Sequence, residues 1–360
     1  MEEGSIAQRR VGVVMAGGSG ERFWPLSTGD TPKQLLNLTH PTKSMLQEAI
    51  ERLEGVTDDA FVSTSRSLAG AIEKSGLVLP EHVLAEPSKR NTLGALVWVV
   101  SELITKGLGE AVVAVVTADH FIGKVDRFQS AVGFALDYAE EIESFVTFGI
   151  TPTRPETGYG YIEISGDGVN ESDDWQAFQA NAFREKPDAA TAKSYLSSGR
   201  HLWNSGMFFF SIPTFLRELK SVQPEASAAL EGIVTCLKSG DGVGAEAHFA
   251  QVPNVSIDYG VMEKVEKVYT IPVDFPWDDV GSWDALERTG EELLEGNAVR
   301  GNPILIDVRD SIVVQGDPEI QVTLLGVRDL IVVSTSGAVL VCDKSQAQRV
   351  REIARLIAKR

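Results

Sequence analysis

The sequence predicts an α/β protein, with a mostly parallel central sheet followed by a small C-terminal β domain. Three observations lead there. Short apolar runs alternate with helix-length amphipathic stretches as far as Ile150, which is how strands joined by crossover helices read. A glycine-rich turn follows the first of those runs directly. Beyond Glu295-Gly296-Asn297 the pattern becomes short β-rich pieces separated by Gly, Asp, Asn and Ser. The expected division is residues 1–295 and 296–360, within a chain of 360 residues that is long enough for a large core and two domains.

Taken in order, Val11-Gly12-Val13-Val14-Met15-Ala16 reads as a buried strand, and Gly17-Gly18-Ser19-Gly20 follows at once. Residues 44–53 are helical, because Met45, Leu46, Ala49, Ile50 and Leu53 share one face. Residues 60–64 form a strand, 93–104 an apolar helix, and 111–117 a strand that ends at Ala118-Asp119-His120. Residues 128–140 are helical and 144–150 a strand. From Pro152 onward shorter strands are expected at 159–164, 177–185 and 207–212, as a substrate-binding half of the same domain. The C-terminal pieces are 303–307, 311–314, 321–325, 329–334 and 337–342, closed by a helix over 345–357. Their spacing is compatible with coils of a short β-helix, although no internal repeat stands out. In sheets of the first kind ligands bind at the carboxyl ends of strands, and Gly17 and Asp119 both lie just past such ends.

Charge limits the function. The chain holds 33 Lys+Arg against 51 Asp+Glu, a net −18. That balance argues against a nucleic-acid coat and against docking on anionic lipid. It leaves room for a small phosphorylated ligand held by local cations. The excess is uneven, because residues 297–360 are net +2 and residues 1–296 are −20. Around the glycine-rich turn, Arg22 and Lys33 balance Glu21 and Asp30. Cys236 and Cys342 are too few for a disulfide framework or a paired-cysteine metal site. The N-terminus is polar, and no apolar run approaches membrane-spanning length, so a cytoplasmic protein is expected.

Gly17, Gly18 and Gly20 let backbone N–H groups approach a phosphate. Taken alone, the turn is equally a tight bend followed by two solvated cations. Its spacing is neither the dinucleotide-binding pattern nor a P-loop, which argues against a nicotinamide-dependent oxidoreductase.

The continuation Gly-Gly-Ser-Gly-Glu-Arg-Phe-Trp-Pro-Leu-Ser over residues 17–27, with Pro32-Lys33-Gln34, resembles the signature of the sugar-1-phosphate nucleotidyltransferases. Further motifs narrow the resemblance to the mannose-1-phosphate guanylyltransferases, or GDP-mannose pyrophosphorylases. They are Glu86-Pro87-Ser88-Lys89-Arg90-Asn91-Thr92, Thr117-Ala118-Asp119-His120, and the stretch from Phe148 through Glu156-Thr157-Gly158-Tyr159-Gly160 to Ile162. Phe183-Arg184-Glu185-Lys186-Pro187, Trp203-Asn204-Ser205-Gly206, Ser256-Ile257-Asp258-Tyr259-Gly260 and Asp279-Val280-Gly281-Ser282-Trp283 follow in the family order. One departure is Leu93-Gly94, where many members carry Ala-Pro.

The resemblance implies a Rossmann-like nucleotidyltransferase domain and a short left-handed β-helix. It also implies a reaction in which GTP and mannose 1-phosphate give GDP-mannose and pyrophosphate. Such chemistry asks for charge and alignment rather than a covalent nucleophile. By resemblance Arg22, Lys33 and Asp119 are catalytic. Gly17, Gly18, Glu86, Asn91 and Thr92 hold the nucleotide, and Gly160, Glu185, Lys186, Asn204 and Asp258 hold the sugar phosphate. Asp119 and Asp279 bind Mg²⁺ or another divalent cation. Simpler readings stand beside these. Each Asp can cap a turn or helix, and Asp278 competes with Asp279 for the metal. Glu86, whose carboxylate would accept the N1–H and N2–H₂ of guanine, can equally be a solvated loop residue. Asn204 sits in an Asn-Ser-Gly sequence that reads as a turn. His120 reads as a structural neighbour of the site, and Trp24, Trp203, Trp277 and Trp283 as packing residues.

Two further alternatives are a related transferase using another sugar or base, and an inactive regulatory homologue. Longer relatives carry an added isomerase domain, and the end of this chain at Arg360 predicts no phosphomannose isomerase activity. A homodimer is a further expectation, with no nucleic-acid or membrane partner.

Overall fold

The computed structural model describes residues 8–29, 31–166, 168–172, 174–289 and 295–359. Asp30, the acidic member of the charge balance around the turn, lies outside them.

Among the described residues, eighteen strands form in chain order. The first nine are β1 (Arg10–Met15), β2 (Asp59–Ser65), β3 (Val83–Glu86), β4 (Val112–Thr117), β5 (Phe121–Ile122), β6 (Phe145–Ile150), β7 (Tyr161–Ile164), β8 (Asn170–Glu171) and β9 (Gln176–Arg184). Then come β10 (His201–Ser211), β11 (Val268–Val273), β12 (Trp277–Asp278), β13 (Ala298–Arg300), β14 (Ile304–Ile306), β15 (Ile312–Gln315), β16 (Thr323–Leu325), β17 (Leu330–Ser334) and β18 (Val339–Asp343).

The main sheet has the order β3-β2-β1-β4-β10-β6-β11-β9-β7, with β8 paired to β9. Strands β3, β2, β1 and β4 pair in parallel, as do β6 and β11. The parallel stretch is interrupted by β10, which lies antiparallel between β4 and β6. The sheet is therefore mixed in pairing but mostly parallel in direction. Strands β7, β9 and β10 belong to it, so the segment beyond Pro152 extends the same domain.

Burial on both faces explains the apolar runs. β4 is buried along its length except at Thr117, and β6 throughout. One face packs Val14, Leu46 and Ala49 with the helix Val125–Glu141, and the other packs Val11 and Val13 with the helix Asn91–Thr105. Helix starts follow their caps: the Ser44 hydroxyl accepts from the Gln47 N–H at 3.2 Å, and the Asp188 carboxylate from the Thr191 N–H at 2.8 Å.

The second sheet has the order β13-β15-β17-β18, and a two-stranded pair β14-β16 lies beside it. Parallel stacking of β13, β15 and β17, and of β14 on β16, is the arrangement of successive β-helix coils. The expected final helix divides in two. Lys344–Arg349 is a 3-10 helix, and only Val350–Ile357 is α-helical.

The β domain is fastened to the first domain. One apolar cluster joins Phe23, Leu38, Met45 and Trp283 to Ile312, Ile331, Leu340, Ala347 and Val350. Arg300 also donates to the carbonyl oxygens of Asn37 and Leu38.

Candidate active site

The glycine-rich turn runs from the end of β1 into a short 3-10 helix, Glu21–Phe23. Gly20 has φ 64°, and a Cβ there would lie 2.5 Å from Lys33 Cβ and 2.6 Å from Ser27 Oγ. Only glycine fits that conformation and that space. At Gly18 a Cβ would meet Gln34 Nε2 at 3.3 Å, while at Gly17 it would meet nothing within 4 Å. Gln34 Nε2 donates to Gly18 O at 2.9 Å and fixes the turn.

This turn floors a cavity of about 360 Å³ lined by Gly18, Arg22, Lys33, Asp119, Asp279 and Gly281, among others. Lys33 is only 5% exposed, which excludes a solvated surface cation. Its ammonium donates to Asp119 Oδ2 at 2.9 Å and to Asp279 O at 3.3 Å. Burial opposes the charge on Asp119, but the Lys33 ammonium holds its carboxyl below the usual range. Arg22 Nη1 donates to Gly281 O at 3.4 Å, and its buried Nε has no protein partner.

Adjacent aspartates diverge. Asp278 is buried, accepts from Arg288 Nε at 2.6 Å and from the Val280 N–H at 2.9 Å, and borders a neighbouring cavity of about 540 Å³. Asp279 borders the first cavity, and its carboxylate accepts from a neutral side-chain donor, the Tyr159 hydroxyl at 2.8 Å. Burial raises the Asp279 pKa, and the charges of Asp278 and Asp119 add to the rise. His120 also borders the cavity, but its Nδ1 accepts from Trp277 Nε1 at 3.1 Å, and burial pushes its pKa down to about 4. It remains neutral and structural.

The donor set fits a hard divalent cation. Asp119 and Asp279 bring carboxylates to one open cavity, and the neighbouring charges of Asp278 and Asp119 on Asp279 favour a cation there. Among the described residues no group of three or more His, Cys, Asp or Glu side chains is arranged around a common point. Any such ion would therefore need oxygens from substrate or water.

A second cluster lies beside the first. A Cβ at Gly160 would come within 2.9 Å of Glu185 Oε2 and 3.5 Å of Asn204 Cβ. Asn204 Nδ2 donates to Asp258 Oδ1 at 2.7 Å, and Lys186 Nζ pairs with Glu185 Oε1 at 2.7 Å. The structure thus brings together Gly160, Glu185, Lys186, Asn204 and Asp258. It corrects the turn expected at Asn204. The residue lies inside β10 at a bulge, where the pairing with β6 shifts between Asn204 and Phe208 and Gly206 takes φ 68°. The bulge holds the side chain toward Asp258, because Asn204 Oδ1 also accepts from the Gly206 N–H at 3.1 Å.

The apolar periodicity of the sequence does not single out the link between the clusters. Tyr159 precedes Gly160, its hydroxyl reaches Asp279, and its ring packs edge-on against Trp203 and Trp277. Burial and the Asp279 charge both keep that phenol protonated. A tyrosine between two glycines of a motif was the available signal.

Glu86 ends β3 and is 8% exposed, so it is not a solvated loop residue. Its Oε2 is buried with no protein partner, and burial raises its pKa to about 7. Asn91 and Thr92 are exposed at the start of the helix that follows. The Thr92 hydroxyl accepts from the Ile257 N–H at 2.8 Å and so ties this loop to the Asp258 segment. Gly94, the departure from the family pattern, lies beneath Arg90, whose Cβ would be 2.2 Å from a Cβ at that position.

Residues 11–296 match the family model described as Nucleotidyl transferase. The chain belongs to this family. Residues 301–356 match the model described as MannoseP isomerase/GMP-like beta-helix domain. A mannose-1-phosphate guanylyltransferase of Escherichia coli K12 is 38% identical over 356 residues, which is 95% of this chain and 72% of its own length. One from Salmonella typhimurium is also 38% identical, over 354 residues, 95% of this chain and 72% of its own. A crystal structure from Thermus thermophilus, described as a mannose-1-phosphate geranyltransferase, superposes with a TM-score of 0.85 at 34% identity, covering 98% of this chain and 100% of that one. Within the nucleotidyl transferases the chain therefore groups with the mannose-1-phosphate guanylyltransferases. No helix among the described residues is long and apolar enough to cross a membrane.

The glycines of this nucleotidyl transferase separate two effects. Gly20→Ala is expected to destabilise the protein by ~1–3 kcal/mol, because backbone and Lys33 must both shift. Gly17→Ala, with no neighbour to strike, should leave the thermal midpoint unchanged and weaken triphosphate binding. Thermal denaturation with and without Mg²⁺ and GTP distinguishes them. Equal loss of midpoint in both variants would contradict the open space at Gly17.

Proposed function

We propose that this chain transfers GMP from GTP to α-D-mannose 1-phosphate, giving GDP-mannose and pyrophosphate. The carrying observation is the pair of clusters joined through Tyr159, one cationic and glycine-lined, the other rich in hydroxyl-binding side chains. The activity named for the relatives supports the same reading.

A phosphate oxygen of mannose 1-phosphate forms a bond to the α-phosphorus of GTP, and the bridging bond to the β-phosphate breaks. The electron pair of that bond departs with pyrophosphate, and the attacking oxygen is already deprotonated. Two anions must meet, so the residues work by position and charge. The N–H groups at Gly17 and Gly18, with Arg22, hold the triphosphate, and Lys33 steadies Asp119 and the leaving group. Asp119 and Asp279 hold Mg²⁺ or another divalent cation, which when bound adds positive charge at the phosphate oxygens. Gly160 leaves room for the hexose beside Glu185, Asn204 and Asp258. Lys186 exchanges its Glu185 partner for the sugar phosphate. Glu86, followed by Asn91 and Thr92, faces the base. We place the boundary of the catalytic unit at residue 295 and the reaction in the cytoplasm.

The test is a pyrophosphate-release assay across nucleoside triphosphates and hexose 1-phosphates. GTP with mannose 1-phosphate is expected to give the highest kcat/KM. Turnover of another pair in preference would reassign the substrates, and absence of turnover with every pair would support an inactive homologue.

A further inference from the structure

The terminal helix Val350–Ile357 packs on the 3-10 helix Glu21–Phe23, and Arg351 and Arg355 line the same cavity as Arg22, Lys33, Asp119 and Asp279. The two arginines are one helical turn apart, so they share a face of that helix. Val350 is buried in the cluster that contains Phe23, which fixes the helix against the glycine-rich turn. Arg355 Nε donates to Glu21 Oε2 at 2.9 Å. Glu21 is the acidic group on this side of the cavity, and the ion pair offsets its charge. Neither arginine has a role in the mechanism above, although both border the cavity where the helix meets the turn.

We propose that Arg351 and Arg355 bind the outer phosphates of the nucleoside triphosphate and the pyrophosphate that leaves, so that the β domain completes the catalytic site. The proposal rests on the reading of the cavity as a triphosphate site. Guanidinium groups suit that role because their fork of donors matches phosphate oxygens. It also gives the basic face of the terminal helix a local purpose, since Arg351 and Arg355 meet the most anionic part of the substrate.

The test uses the full chain with Arg351→Ala, Arg355→Ala and the double variant. Inorganic pyrophosphate binding in the presence of Mg²⁺ is measured by calorimetry, and KM values are measured in both directions. The double variant is expected to bind pyrophosphate about tenfold more weakly and to raise KM for GTP similarly. KM for mannose 1-phosphate and for GDP-mannose, which lack those phosphates, should stay unchanged. Arg355→Ala combined with Glu21→Gln isolates direct contact from charge masking, because full recovery of wild-type affinity would leave Arg355 with masking alone and overturn its half of the proposal. Unchanged pyrophosphate affinity in the double variant, with an unchanged thermal midpoint, would overturn the whole. If wild type binds pyrophosphate but turns over no sugar phosphate, the functional reading fails while the phosphate-binding test still stands.

Discussion

An Asp279→Asn variant is expected to lose about 10²–10³ in kcat, the scale seen when one preorganised electrostatic contact to a transition state is removed. The neighbouring Asp278→Asn should keep most of its turnover and lose stability instead. The contrast follows from partners. Asp278 is held by Arg288 and by the Val280 N–H on the side of the adjacent cavity, so its removal strands part of a structural ion pair. Arg288 is one-third exposed, with a side-chain exposure of 34%. Water can recover part of its hydration, and the cost is about 1–3 kcal/mol rather than that of a fully buried pair. The Asp279 carboxylate meets the neutral Tyr159 hydroxyl, and the nearby Lys33 charge only partly offsets the burial and the Asp278 charge that disfavour its ionisation.

A carboxylate in that position makes chemical sense beside a polyphosphate only if a cation sits between them. The Asp279→Asn variant should therefore also need more Mg²⁺ to reach half of its GTP-dependent thermal shift, a readout independent of turnover. If instead Asp278→Asn shows the higher Mg²⁺ requirement and the lost kcat, the assignment of the two residues is reversed.

Local chemistry explains which features the sequence revealed. The strands β1, β4 and β6 were legible because a strand buried on both faces must be apolar along its length. Gly17 and Asp119 stood out because they follow strand ends, and Lys33 because it lies in the Pro32-Lys33-Gln34 motif. β3 escaped notice because four residues, Val83–Glu86, are too few to show a period. The insertion of β10 between β4 and β6 is a long-range pairing that no local pattern encodes. Its bulge turned an apparent Asn-Ser-Gly turn into part of a strand. Asp278 and Asp279 differ in their partners, Arg288 and Tyr159, which two adjacent identical residues do not announce in a sequence. Arg351 and Arg355 lie more than 300 positions from the turn they face, and only the apolar cluster around Phe23 and Val350 brings them there.

Glu86→Gln should lower kcat/KM for GTP about 10²-fold and shrink the preference over ATP, since a site built for two donors then offers one acceptor and one donor. The wild-type geometry leaves an acceptor open for such a donor. Glu86 Oε2 is buried without a protein partner, and burial raises the carboxyl pKa to about 7. A raised carboxylate pKa means that the folded chain holds a proton between the ordinary value of 4.5 and about 7 that the unfolded chain has released. This group's contribution to stability is therefore full below 4.5 and is lost as pH rises through about 7. GTP should reverse that trend. Its N1–H and N2–H₂ favour the charged carboxylate, so binding near pH ~6.5 must release a proton from Glu86. Calorimetric titration with GTP in buffers of different ionisation enthalpy should show a larger release in wild type than in Glu86→Gln, where only the terminal phosphate of GTP can still lose a proton, and a KM for GTP that climbs more steeply in wild type as pH drops below about 7. Proton release on GTP binding that is as large in Glu86→Gln as in wild type would move base recognition to another residue.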